Sequence, residues 1–77
     1  MTVKVLFFGP AADAAGRSEL VLEGAVDTDE LRQRLLGLFP KLRQLGFLMA
    51  VNKQVVQEKA VLGNQDVVVL LPPYSGG

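Results

Sequence analysis

Val67-Val68-Val69-Leu70-Leu71 is an unbroken run of five apolar, mostly β-branched residues, and it stops at Pro72-Pro73. Such a run reads as a buried strand. The two prolines lack amide donors and end it abruptly. Near the other end of the chain, Val3 to Phe8 (VKVLFF) has the same character and stops at Gly9-Pro10. Five of its six residues are apolar, as expected of a central strand covered on both faces. These two segments decide the fold. Both demand cover on two sides, so they are expected side by side at the centre of one mixed sheet.

The remaining elements are arranged around that pair. Pro10 to Gly16 is small and helix-tolerant, enough for one turn capped by Gly16. Ser18 to Glu23 alternates Leu20 and Leu22 with Glu19, Val21 and Glu23, which suits an outer strand. Residues 3–23 therefore read as a hairpin with a long loop. Thr28 is a good helix N-cap, and Asp27 with Glu30 three residues on resembles a capping box. Asp29 and Glu30 lie in the first turn, where carboxylates complement the helix dipole. Leu31, Leu35, Leu38 and Leu42, with Phe39 beside them, form one apolar stripe expected to face the core. Pro40 stops or kinks the helix after Phe39, and Gly46 closes the next turn. Leu48 to Val51 is a third strand, Asn52-Lys53 a tight turn, and Gln54 to Val56 a fourth strand. Gly63-Asn64-Gln65 is another turn. The order is β-β-α-β-β-β, an α+β domain whose main helix lies across one face of a sheet of about five strands.

Length and composition restrict what such a domain can do. Its 77 residues allow one domain, with stability on the order of 5 kcal/mol. Eight basic and eight acidic residues cancel, and neither sign forms a run. Nucleic acid is therefore not an expected partner. No apolar stretch approaches the roughly 20 residues of a membrane span, and no signal-peptide pattern opens the chain; a cytoplasmic location is the expectation. With no Cys and no His, thiol chemistry, the commonest general base and the commonest metal ligand are missing. No resident metal or stably bound cofactor is expected. Any further reactive group must come from a terminus, a cofactor or a partner.

The ending Tyr74-Ser75-Gly76-Gly77 offers such a group. Two prolines favour extended geometry that directs the chain away from the sheet. Four residues beyond Pro73 reach roughly 14 Å. Gly76 and Gly77 carry no Cβ and can thread a channel too narrow for other residues. The terminal carboxylate is inert until phosphoryl chemistry converts it into an acyl-adenylate open to nucleophiles. An idle, frayed terminus is the competing reading.

The segments VKVLFFG (residues 3–9), Ala50-Val51-Asn52 and Leu71-Pro72-Pro73-Tyr74-Ser75-Gly76-Gly77 resemble the family of molybdopterin-synthase small subunits, which are ubiquitin-like sulfur carriers. The resemblance runs along essentially the whole chain, and PPxSGG is its most specific piece. It implies a β-grasp domain over residues 1–71 with an extended tail over 72–77. It also implies a cycle: an E1-like activating enzyme adenylates Gly77 with ATP, leaving AMP transiently on it. A sulfur donor system then converts it to a thiocarboxylate. Pro73, Tyr74, Ser75 and Gly76 then thread into the large subunit, where sulfur passes to the pterin precursor. The carrier alone is not an enzyme.

By the same resemblance, Phe8, Val55 and Leu71 belong to the large-subunit interface, with ordinary core as the alternative. Phe7 and Phe8 alternate, so one faces the core. Tyr74 either fills a partner pocket or packs on its own domain. Asp13, Arg17, Arg32, Arg34, Lys41 and Arg43 are expected to be solvated. Lys53 and Lys59 are candidates for steering toward an acidic partner surface. The chain departs from the family in three places: no basic residue in Pro10-Ala11-Ala12-Asp13, only Asp66 acidic in Gly63–Val67, and Leu71 at a position often aromatic. Two rival functions share this tail, sulfur delivery to another small molecule such as the thiamine thiazole and covalent attachment to protein lysines. The paired prolines and the length favour the first reading over a thiazole carrier.

Overall fold

The computed structural model describes residues 1–73. Five strands form one sheet: β1 (Thr2–Phe7), β2 (Glu19–Glu23), β3 (Leu48–Val51), β4 (Gln54–Val56) and β5 (Asp66–Leu71). Three helices intervene: α1 (Pro10–Ala15), α2 (Thr28–Leu38) and α3 (Leu42–Leu45). The spatial order is β2-β1-β5-β3-β4. The first and last strands lie side by side at the centre and run parallel, with Val5 opposite Val68 and Phe7 opposite Leu70. The other three pairings are antiparallel. This is the expected mixed sheet.

Cover on two sides is where the expectation fails. Val3, Val5, Phe7, Val68, Leu70 and Met49 are all buried and join Leu31, Leu35 and Leu42 in the core. Lys4 is exposed, and Leu6, Val67, Val69 and Leu71 are only half-buried. None of these last four packs against the core. The helices seal one face of the sheet, and among the described residues no element lies over the other. A strand alternates its side chains between faces, so an almost wholly apolar strand here has one buried face and one open apolar face.

Helix α2 begins one residue earlier in its capping than Thr28 suggests. Asp27 is the N-cap, its Oδ1 accepting from the Glu30 amide at 2.8 Å, and Glu30 Oε1 accepts from the Val26 amide at 2.9 Å. Thr28 is the first helical residue and is buried. Its hydroxyl accepts from the Ala60 amide at 2.9 Å, while its own amide donates to the Ala60 carbonyl. This ties the long segment before β5 to the start of the helix.

At the far end the helix stops at Leu38, before Pro40, and Leu42 falls in the separate α3. The core contact passes to Phe39, whose ring meets Phe7 edge to face at 5.6 Å. Leu38 is left 54% exposed, contrary to the uniform apolar stripe. Arg32 and Arg34 also depart from a plainly solvated face. The Arg32 guanidinium sits 4.8 Å over the Phe47 ring, and Arg34 donates to the Glu23 carbonyl at 2.6 Å. Their long stems cover apolar surface while the heads find partners.

Candidate functional site: the open sheet face and the root of the tail

Strand alternation assembles the site. In β1 the inward set Val3, Val5, Phe7 fixes the outward set Lys4 and Leu6, and Phe8 continues it just past the strand. In β5 the outward set is Val67, Val69 and Leu71. Register then lines these up across the sheet: Val55 opposite Ala50, Ala50 opposite Val69, Val69 opposite Leu6. Beside that row, Leu48 lies opposite Leu71. On the other side, Val67 lies opposite Lys4, and Lys4 opposite Val21. Ala50 is buried yet stands outside the core cluster, as expected of a small residue within this outer row.

Phe8, Val55 and Leu71 thus share one face. Phe8 is 54% and Val55 52% exposed, and none of the three belongs to the core, so the ordinary-core alternative does not describe them. Phe7 is the core member of its pair. Phe8 and Leu71 come together at the root of the tail, where Pro10, Leu45, Pro72 and Pro73 complete an apolar groove of about 310 Å³. Val55 is held apart from that groove, on the edge strand.

The two short helices beside the groove end in glycine turns. Gly16, at φ 72°, closes α1 by donating to the Ala12 carbonyl, and Gly46, at φ 69°, closes α3 by donating to the Leu42 carbonyl. Both conformations suit a residue without a Cβ. Pro10 at the start of α1 and Leu45 at the end of α3 both line the groove.

At the other end of the face, Asn52 and Lys53 form the two-residue turn between β3 and β4, both with positive φ. Asn52 is fixed three times: its amide donates to the Val67 carbonyl, its Oδ1 accepts from the Val67 amide, and its Nδ2 donates to Asp66. The second Asp66 oxygen accepts from the Gly63 amide at 2.7 Å. These donors hold the Asp66 carboxyl below its ordinary pKa, the Gly63 amide first and Asn52 second.

The sequence reading missed Leu6, Leu48, Val67 and Val69 as outward residues, and Pro10 and Leu45 as groove walls. Lys4, a charge in the middle of VKVLFF, was the available signal for which parity faces out. Pro73 is the last described residue and lines the groove. Tyr74, Ser75, Gly76 and Gly77 lie outside the described residues. Among the described residues no group of three or more acidic side chains is placed to hold a metal ion, and no helix is long and apolar enough to cross a membrane.

Known proteins are similar to this chain along nearly its whole length. A chain of Mycobacterium tuberculosis named molybdopterin synthase sulfur carrier subunit is 34% identical, over 97% of this chain and 96% of its own. The complex of subunits 1 and 2 of molybdopterin-converting factor from Helicobacter pylori contains a chain 31% identical, with full coverage of both and a TM-score of 0.74. Small archaeal modifier protein 1 from Methanosarcina acetivorans superposes with a TM-score of 0.83 at 25% identity, covering 99% of this chain and 96% of its own. The sheet order and these neighbours make the fold a ubiquitin-like β-grasp. The ThiS family matches residues 5–77, from within the first strand to the end of the given sequence, and the chain belongs to that family.

Proposed function

We propose that this chain is the sulfur-carrier subunit of a molybdopterin synthase. Its end-to-end similarity to chains named for that role carries the reading, and the open apolar face supplies a surface for the large subunit. The Gly77 carboxylate attacks the α-phosphorus of ATP on an E1-like enzyme, forming an acyl-adenylate and releasing pyrophosphate. Hydrosulfide from a sulfur donor attacks the acyl carbon and expels AMP, leaving a thiocarboxylate. With the tail in the large subunit, that sulfur attacks a carbon of the pterin precursor and displaces an oxygen substituent, leaving an acyl thioester. Hydrolysis of the resulting acyl bond restores the carboxylate. In this reading the fold binds and aims the tail, and the catalytic groups belong to the partner enzymes.

Intact mass after incubation with the activating enzyme, ATP and sulfide tests the cycle. Exchange of one oxygen for sulfur adds about 16 Da, and the gain requires an acyl intermediate. An unchanged mass with an active donor system rejects the carrier role.

The likeness to a small archaeal modifier protein supports a second reading, in which Gly77 is joined to lysines of target proteins. Denaturing gels of cells expressing a tagged chain separate the two. A ladder of covalent adducts that vanishes on deletion of Gly77 supports attachment; its absence leaves sulfur delivery alone.

A further inference from the structure

Lys53 occupies a position where the backbone asks for glycine. The two-residue turn of the β3–β4 hairpin places Asn52 at φ 48° and Lys53 at φ 75°. Asparagine tolerates the left-handed region, and Asn-Gly is the favoured pair for such a turn. A lysine at the second position bears the steric cost of its Cβ. Strain of this kind gathers where a side chain has another use.

The surroundings of Lys53 point to that use. Its side chain borders a hollow of about 310 Å³ on the open face, lined also by Leu6, Val67 and Val69. The other ammonium at this end of the face, Lys4, is paired with Glu19 at 4.0 Å. That is the one ion pair among the described residues, so Lys53 has no carboxylate partner there. Asp66, the nearest acidic residue in the network, spends its oxygens on Gly63 and Asn52. The open face thus has an apolar middle and the tail root at one end; at the other end Glu23 lies on the β2 edge, and the ammonium of Lys53 stands without a carboxylate partner at the opposite, β3–β4 corner.

We infer that Lys53 is a docking residue: its ammonium pairs with a carboxylate on the large subunit and fixes the orientation of the domain with the tail pointing into the active site. This rests on the sulfur-carrier reading. Two attachment points, the groove at Phe8 and Leu71 and the charge at Lys53, define a direction across the sheet that apolar contact alone leaves free. Charge complementarity of this sort sets register and association rate more than bulk affinity.

The test is titration of the large subunit of the same organism's synthase with four chains: the parent, Lys53→Gly, Lys53→Arg and Lys53→Glu, at low and high salt, with a melting curve for each. Lys53→Gly is expected to melt at the same temperature or a few degrees higher, because the turn is relieved. It should nevertheless bind about fivefold more weakly at low salt, a difference that shrinks at high salt. Lys53→Arg should bind like the parent, and Lys53→Glu more weakly than the glycine variant. Equal binding of Lys53→Gly and parent overturns the inference, as does a loss that ignores salt or a melting temperature that falls. A parent chain that itself fails to bind the large subunit overturns the sulfur-carrier reading instead.

Discussion

The two faces of β1 and β5 are made from nearly the same residues. Val3, Val5, Phe7, Val68 and Leu70 point one way; Leu6, Phe8, Val67, Val69 and Leu71 point the other. The first set is sealed under α2 and α3 and holds the domain together. The second set lies open, bordered by Lys4, Glu19 and Glu23 toward β2 and by Lys53 at the β3–β4 turn. Composition is therefore a poor guide to which apolar residues fold a chain and which serve it. A domain of this size has little core to spare, and under the proposed sulfur-carrier reading the five apolar side chains left outside it form one half of an interface.

The sharpest way to break this contrast is to truncate neighbours on opposite faces. Leu70→Ala should cost about 3 kcal/mol, since a fully buried leucine leaves a cavity, a large share of the stability of so small a domain. Val69→Ala, one residue away, should cost less than about 1 kcal/mol. Urea denaturation of the two variants measures both, and similar losses would erase the distinction between the faces.

A smaller effect concerns the cover on the inner face. Asp27 caps α2, and Asp27→Ala should destabilise the domain by about 1 kcal/mol, read from the same denaturation curves. Binding to the large subunit should be unaffected, because Asp27 lies on the helix layer and not on the open face.

The least effect belongs to Asp66, which pins the hairpin turn at the edge of the outer face. Its pKa is lowered on folding, so its contribution is present at neutral pH, where the carboxylate is charged in both states. That contribution is lost as pH falls from about 4, the unfolded value, through the lower folded value. The stability difference between parent and Asp66→Asn should therefore be visible at pH 7 and close in acid. A difference that grows as pH falls would reverse the sign and refute the account of the network.

The strand order was legible because two runs, 3–8 and 67–71, were too apolar for edge positions, and Pro72-Pro73 fixed where the second must stop. Asn52-Lys53 announced its own turn. Coverage on two faces was misread, because an open binding face and a buried one place the same demands on composition; only Lys4 marked the difference. The stripe Leu31-Leu35-Leu38-Leu42 looked continuous, yet Pro40 divides it, and Phe39 rather than Leu38 completes the core. The bridge between residues 26–28 and 60–62 rests on backbone groups and the Thr28 hydroxyl, which carry no periodicity to read. Of the site, Phe8, Val55 and Leu71 were reachable through family resemblance. The groove walls Pro10 and Leu45 were not, since only the packing of α1 against α3 brings them together.

Phe8→Ser examines the separation of folding from docking in one chain. Thermal unfolding and titration of the large subunit should be measured on the same preparation. A melting temperature close to that of the parent, with binding weakened tenfold or more, is the expected pair of results. A sharp fall in melting temperature would place Phe8 in the fold, and undiminished binding would remove the open face from the interface; either contradicts the division of labour between the two sides of the sheet.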